Sequence, residues 1–224
     1  MQERNRQKRA LRCCDLIFLR ILPTAFLLVL TIRNMMAWIS FSDTAGSFSL
    51  IQLYSDTFPM ICFFVGLSSV ADFFERLRKT AAVFRYLAAG LVLLHVVLAC
   101  VNLSLYITRI ASVINIEPFL YTAACIPIAV SCVLGDKHRK AGTTFGLIAT
   151  LLLLIAGAVF PLWSNISIPL WSNISNGSFS TEYITASLRY VLNTLLSRYV
   201  LNTLIIGFCF LAPVFTGLVH RCKE

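Results

Sequence analysis

Apolar residues in this chain fall in long unbroken runs. They do not alternate as in a half-buried strand, nor recur every third or fourth position as in a soluble amphipathic helix. Six such runs lie at about 16–32, 50–71, 86–107, 118–134, 142–162 and 199–219. A helix rises about 1.5 Å per residue and the hydrocarbon core is about 30 Å thick, so about 20 apolar residues cross it. In hydrocarbon each backbone amide must bond within its own segment, which makes these runs helical. The pattern predicts an all-α, polytopic membrane helix bundle with six transmembrane helices over 16–219. A basic tail at 1–15, an outer loop with a surface helix at 163–198 and a short tail at 220–224 complete the organisation.

The third run, 86–107, is free of Asp, Glu, Lys and Arg and is bracketed by Arg85 and Arg109. Its polar residues are not scattered. His95, Asn102 and Tyr106 stand at i, i+7 and i+11, with Ala88 and Ala99 on the same stripe. At 100° per residue they share one face, while Leu93, Leu94, Val97 and Leu98 take other faces. A polar stripe with small residues turns toward other helices and away from lipid. The expectation is an interior face centred on His95.

Composition agrees with a membrane protein. The 224 residues are 58% hydrophobic and only 13% charged, about half the charged share of an ordinary soluble domain. The net charge of +9 would suggest nucleic acid in a soluble protein. Here the basic residues flank apolar runs, so topology accounts for them and no nucleic-acid partner is expected. Six spans put both ends on one side. Lys and Arg on that side number five in the tail, four in 72–85, three in 135–140 and two after the last run, fourteen in all. The other side has four, namely Arg33, Arg109, Arg189 and Arg198. The positive-inside rule then predicts both termini in the cytoplasm, N-in and C-in. Trp38, Trp163 and Trp171 all fall at the opposite interface, which supports the same orientation independently. Arg20 lies one turn inside the first run, where its stem allows it to snorkel to the near headgroups. A shifted first span, 21–41, would bury Arg33 and is disfavoured.

Eight cysteines include no Cys-x-x-Cys pair and no loop framework, so neither redox exchange nor disulfides are expected. No zinc-protease motif and no second intramembrane histidine for haem are present, so no catalytic residue, metal or cofactor is predicted. Gly66-Leu-Ser68-Ser69 is a faint nucleophile motif, but it lies toward the cytoplasmic end of its run, away from His95.

Candidate binding residues are His95, Asn102, Tyr106 and Asp56. An imidazole can exchange a proton or hydrogen-bond a solute, although a neutral core histidine is the plainer reading. Asp56 lies one to two turns inside the second run, with Arg33 or Arg109 as its expected structural partner. Gly142-x-x-x-Gly146, continued by Ala149, permits close helix packing within the chain or against another protein. Asn165, Asn173 and Asn176 are glycosylation acceptors on the outer side, and Cys13, Cys14 and Cys222 are juxtamembrane palmitoylation candidates.

Two tandem duplications interrupt the pattern. Pro161–Ile168 is nearly repeated at Pro169–Asn176, and Arg189-Tyr-Val-Leu-Asn-Thr-Leu195 recurs as Arg198-Tyr-Val-Leu-Asn-Thr-Leu204. The second pair, nine residues apart, places like side chains on opposite helix faces.

The functional expectation is a multi-pass protein of the cell membrane, a small-solute or ion transporter or channel with an interhelical site near His95. The competing reading is a non-catalytic subunit or scaffold. Expected partners are the lipid bilayer and, through the glycine face, another membrane protein or a second copy.

Overall fold

A computed structural model describes residues 10–45, 50–109, 117–135, 138–159 and 198–221, together with positions 185, 188, 189 and 191–193. Among these residues the protein is helical throughout, with short turns and no strand. The first helix, α1, spans Leu22–Ala45 and is entered through a π-helical turn at Asp15–Ile21. There follow α2 at Leu50–Phe73, α3 at Arg78–Arg109 and α4 at Glu117–Leu134. Helix α5 runs from Arg139 to Leu154 and loosens into a second π-helical turn at Ile155–Val159, and α6 spans Arg198–Arg221.

Four helical stretches are long and apolar enough to cross a membrane: Ala10–Met36, Asp56–Phe73, Glu75–Val101 and Arg139–Val159. Leu120–Leu134 and Val200–Phe215 are apolar but shorter over their described side chains. The sequence expectation of a helical membrane bundle thus stands for four helices on length and composition. Helix α1 also runs on past the expected limit at Ile32, continuing through Arg33 to Ala45.

The helices alternate in direction. One cavity is lined by Arg20 from the turn leading into α1, Asp72 from the end of α2 and Arg85 from the start of α3. The same cavity meets Ser131 late in α4, Arg139 opening α5 and Pro213 late in α6. We refer to this as the basic end of the bundle. Two short connections make the alternation possible: a 3₁₀ turn, Glu75–Leu77, between α2 and α3, and the link between α4 and α5, where the His138 N–H donates to the Leu134 carbonyl at 2.8 Å.

The bundle is apolar inside and out. Leu27, Phe58, Ile61, Val92, Ile128, Leu153 and Ile206 form its core. Phe18, Val29, Leu93, Val97 and Leu151 face outward, each more than half exposed. A helix apolar all round suits an apolar solvent. Buried threonines fit because their hydroxyls bond within their own helix: Thr24 donates to the Arg20 carbonyl at 2.6 Å and Thr31 to that of Leu27 at 2.8 Å.

Small residues set the closest approaches. A Cβ on Gly66 would stand 2.8 Å from Thr24 Oγ1 of α1, so this position holds α1 and α2 together. Gly142 presses against the Gly135 backbone, and a Cβ on Gly146 would collide with the Phe210 ring of α6. Ala149 continues this face, fully buried. The Gly142-x-x-x-Gly146 face is therefore occupied within the chain.

Candidate functional site

Polar side chains collect in two places. The first is around His95, near the middle of α3. Its stripe behaves as the pattern requires: Ala88, Val92, His95 and Ala99 are buried, while Leu93, Leu94 and Val97 are exposed. Leu98 departs from the expectation and is buried, because it stands three residues beyond His95 on the flank of the same face.

His95 is enclosed completely. The Tyr54 ring stacks on the imidazole with centroids 4.3 Å apart and planes 13° from parallel. Phe58, one turn further along α2, packs at 6.5 Å. Between them Thr57 places Oγ1 2.6 Å from His95 Nδ1. Tyr54, Thr57 and Phe58 share one α2 face by their i, i+3, i+4 spacing.

This arrangement assigns the tautomer. A threonine hydroxyl has one hydrogen. Thr57 donates it to the Tyr54 carbonyl at 2.7 Å. Its oxygen must then accept from His95, so Nδ1 carries the proton. Nε2 is left as a lone-pair acceptor, buried and without a hydrogen-bond partner. A buried polar atom left unsatisfied costs about 1–3 kcal/mol, so this atom is a natural place for a ligand hydrogen or cation.

The polar layer extends to α4 and α6. The Tyr54 and Thr122 hydroxyls lie 2.8 Å apart, and those of Tyr121 and Thr203 lie 3.3 Å apart. Phe58 meets Tyr121 edge-on at 5.0 Å. Next to Thr203 in α6 is Asn202, fully buried, with neither amide atom hydrogen-bonded.

The second gathering is at the basic end. Arg20 is 2% exposed. The snorkelling expected for it does not occur: its guanidinium turns inward, bonds the Ser69 carbonyl at 2.6 Å and pairs with Asp15 at 3.4 Å. The Phe73 ring lies 5.4 Å beneath it. Inward placement gives its charge a counter-ion and one N–H a fixed carbonyl acceptor, while Nε stays without a hydrogen bond. Asp72 is shared by Arg139 at 2.8 Å and Arg85 at 3.9 Å.

The chain matches no family model, no curated protein and no solved structure.

Of the candidates read from sequence, His95 is placed within the polar contact network of Tyr54 and Thr57. Asp56 is half-buried, adjacent to Thr57 but 100° further round the helix. Arg33, offered as its partner, is exposed. Asn102 and Tyr106 continue α3, and their side chains lie outside the described residues, as does that of Arg109. Asn165, Asn173, Asn176 and Cys222 also lie outside them. Cys13 and Cys14 are exposed free thiols. Ser68 and Ser69 donate to the carbonyls of Val65 and Cys209 at 2.7 and 3.4 Å, at the basic end and apart from His95.

Sequence reasoning missed Tyr54, Thr57, Tyr121, Thr122, Asn202 and Thr203. The available signal was a hydroxyl or amide inside an apolar run. It also missed the Arg20–Asp72–Arg85–Arg139 cluster, having counted those charges only for topology.

Proposed function

We propose that this chain is a six-span membrane protein, with both termini on the cytoplasmic side, that passes a small solute or ion between its helices. The alternation of six helices about one basic end and the excess of Lys and Arg at that end support the topology. Cysteines introduced into 163–182 are expected to react with an impermeant maleimide on intact cells. Cysteines introduced into 135–140 should react only after permeabilisation, and the reverse pattern overturns the orientation.

The observation that carries the function is the lone pair at His95 Nε2. Thr57 fixes the ring through Nδ1 and Tyr54 fixes its plane, so Nε2 is held as an acceptor inside the bundle. A solute with an N–H or O–H group, a proton or a small cation would complete it. The aromatic and hydroxyl side chains around it supply weak, exchangeable partners, which suits passage better than permanent retention. The competing scaffold role loses one support, because the glycine face that would receive a partner packs against α4 and α6 of the same chain.

The test is His95→Ala in proteoliposomes, with proton flux read by a trapped pH dye and cation flux by radiolabelled rubidium. Flux per folded molecule is expected to fall at least tenfold while detergent-extracted folded yield stays within about twofold. Collapse of yield with flux per molecule unchanged would make His95 structural and end this reading.

A further inference from the structure

At the basic end the helices are joined in two different ways. Helices α4 and α5 are locked to each other as one hairpin. Gly142 presses on the Gly135 backbone, and the buried Ser131 hydroxyl donates to the Gly142 carbonyl at 2.6 Å. Helices α2 and α3 form a second hairpin, closed by the 3₁₀ turn and by the Phe64 and Phe84 rings, 6.1 Å apart.

Between the two hairpins the contact is of another kind. Arg139, the first residue of α5, donates from Nη2 to Asp72 Oδ2 of α2 at 2.8 Å. Arg85 of α3 stands 3.9 Å from the same carboxylate. Behind this cluster lies the cavity of about 60 Å³, room for about four waters. Exposure falls steadily from its mouth inward. The Arg139 side chain is 57% exposed, that of Asp72 20% and that of Arg85 15%. Cys132 and Cys209, on the same wall, are 3% exposed. The ion pair therefore stands between water and two thiols.

An ion pair with one exposed member is a weak fastener, because water competes for both charges. Close-packed backbone and a buried hydrogen bond yield only by unpacking. The seam between the hairpins is thus the part of this end that gives way first. Val65 lines the cavity, and Ile61 and Cys62 continue the apolar core beyond it. Phe58, which packs on His95, is seven residues from Val65, about 10 Å along α2. Parting the seam would wet the cavity and leave this apolar layer between it and His95.

We propose that Asp72 and Arg139 form a latch that holds the α2–α3 hairpin to the α4–α5 hairpin, and that its release opens the cavity to water at the basic end. As the gate of a route toward His95 the latch rests on the passage reading above. As a cover over Cys132 and Cys209 it stands without that reading.

The experiment uses the full chain in phosphatidylcholine nanodiscs and its own cysteines. The probe is hydroxyethyl methanethiosulfonate, which is uncharged, so its approach does not change with the charge of the cavity, and larger than the cavity, so it enters only on opening. Modification of each cysteine is followed by peptide mass spectrometry. Cys13 and Cys14, both exposed, calibrate the reagent, and Cys62 and Cys125, buried and away from the cavity, report general loosening. Asp72→Asn and Arg139→Gln are each expected to speed modification of Cys132 and Cys209 about three- to fivefold, the scale of a pair of this exposure. Arg139→Lys, which keeps the charge, should stay within about twofold of the unaltered chain. The double variant Asp72→Asn with Arg139→Gln should be no faster than the faster single one, since both remove the same bond. Unchanged rates in both single variants overturn the proposal. So does a double variant whose effect is the product of the two, or an equal gain at Cys62 and Cys125. Labelling needs no flux, so failure of the His95 reading leaves these outcomes as they are.

Discussion

His95 and Arg20 are both withdrawn almost completely from the surface, at 0% and 2% exposure, yet they are accommodated by opposite means. Around His95 the described ring and hydroxyl contacts are neutral: a threonine hydroxyl, a stacked phenol ring and a tilted phenylalanine ring. The group is held by shape, and one of its atoms is left unsatisfied. Around Arg20 the partners are a carboxylate, a carbonyl and a cavity shared with two further guanidiniums. There the group is held by an ion pair and a carbonyl, although its Nε makes no hydrogen bond. One buried group is fixed by neutral contacts and the other by an ion pair, so the two should answer differently to the removal of charge.

The larger test of this contrast is Asp15→Asn. It removes the counter-charge of a buried guanidinium, which costs about 3 kcal/mol in unfolding from mixed micelles, at the low end because the adjoining cavity is polar. Asp15→Leu combined with Arg20→Met should recover most of that loss, since the apolar pair has no charge to desolvate. If Asp15→Asn is silent, the basic end is not held by its ion pairs. A smaller effect is expected from Thr57→Val. The imidazole would lose the acceptor of its Nδ1–H while keeping its packing, at a cost of about 1–3 kcal/mol. Unlike the Asp15 effect it should be insensitive to salt, because no charge pair is involved. Equal salt dependence in the two variants would erase the distinction between the regions.

Much of the helical framework could be read from sequence because hydrocarbon requires continuous apolar runs, and runs are local. The inward turn of His95 was legible for the same reason, as a stripe on a single helix. The ion-pair cluster was not, because Asp72 and Arg139 stand 67 positions apart and meet only when the helix ends gather at the basic end. Thr57 went unread because a lone hydroxyl in an apolar run carries little signal, yet it is the group that reaches the imidazole. The duplicated heptapeptide shows the limit most directly. Asn193 in the first copy is exposed, whereas Asn202 in the second is fully buried. Identical neighbours in sequence carry no information about which copy enters the bundle.

The π-helical turn at Asp15–Ile21, closed by the Leu22 amide on the Ile17 carbonyl, gives the chain a length-based adjustment of bearing. Such a turn holds one residue more than the α ladder around it. Deleting a single residue between Leu16 and Leu19 would restore the α ladder and swing everything before it by about 100° about the helix axis. Asp15 would leave Arg20, and Arg12, Cys13 and Cys14 would sweep to a new side of the bundle. The direction in which Arg12, Cys13 and Cys14 face is thus set by counting residues, and a one-residue deletion would re-aim them at the expense of the Asp15–Arg20 pair.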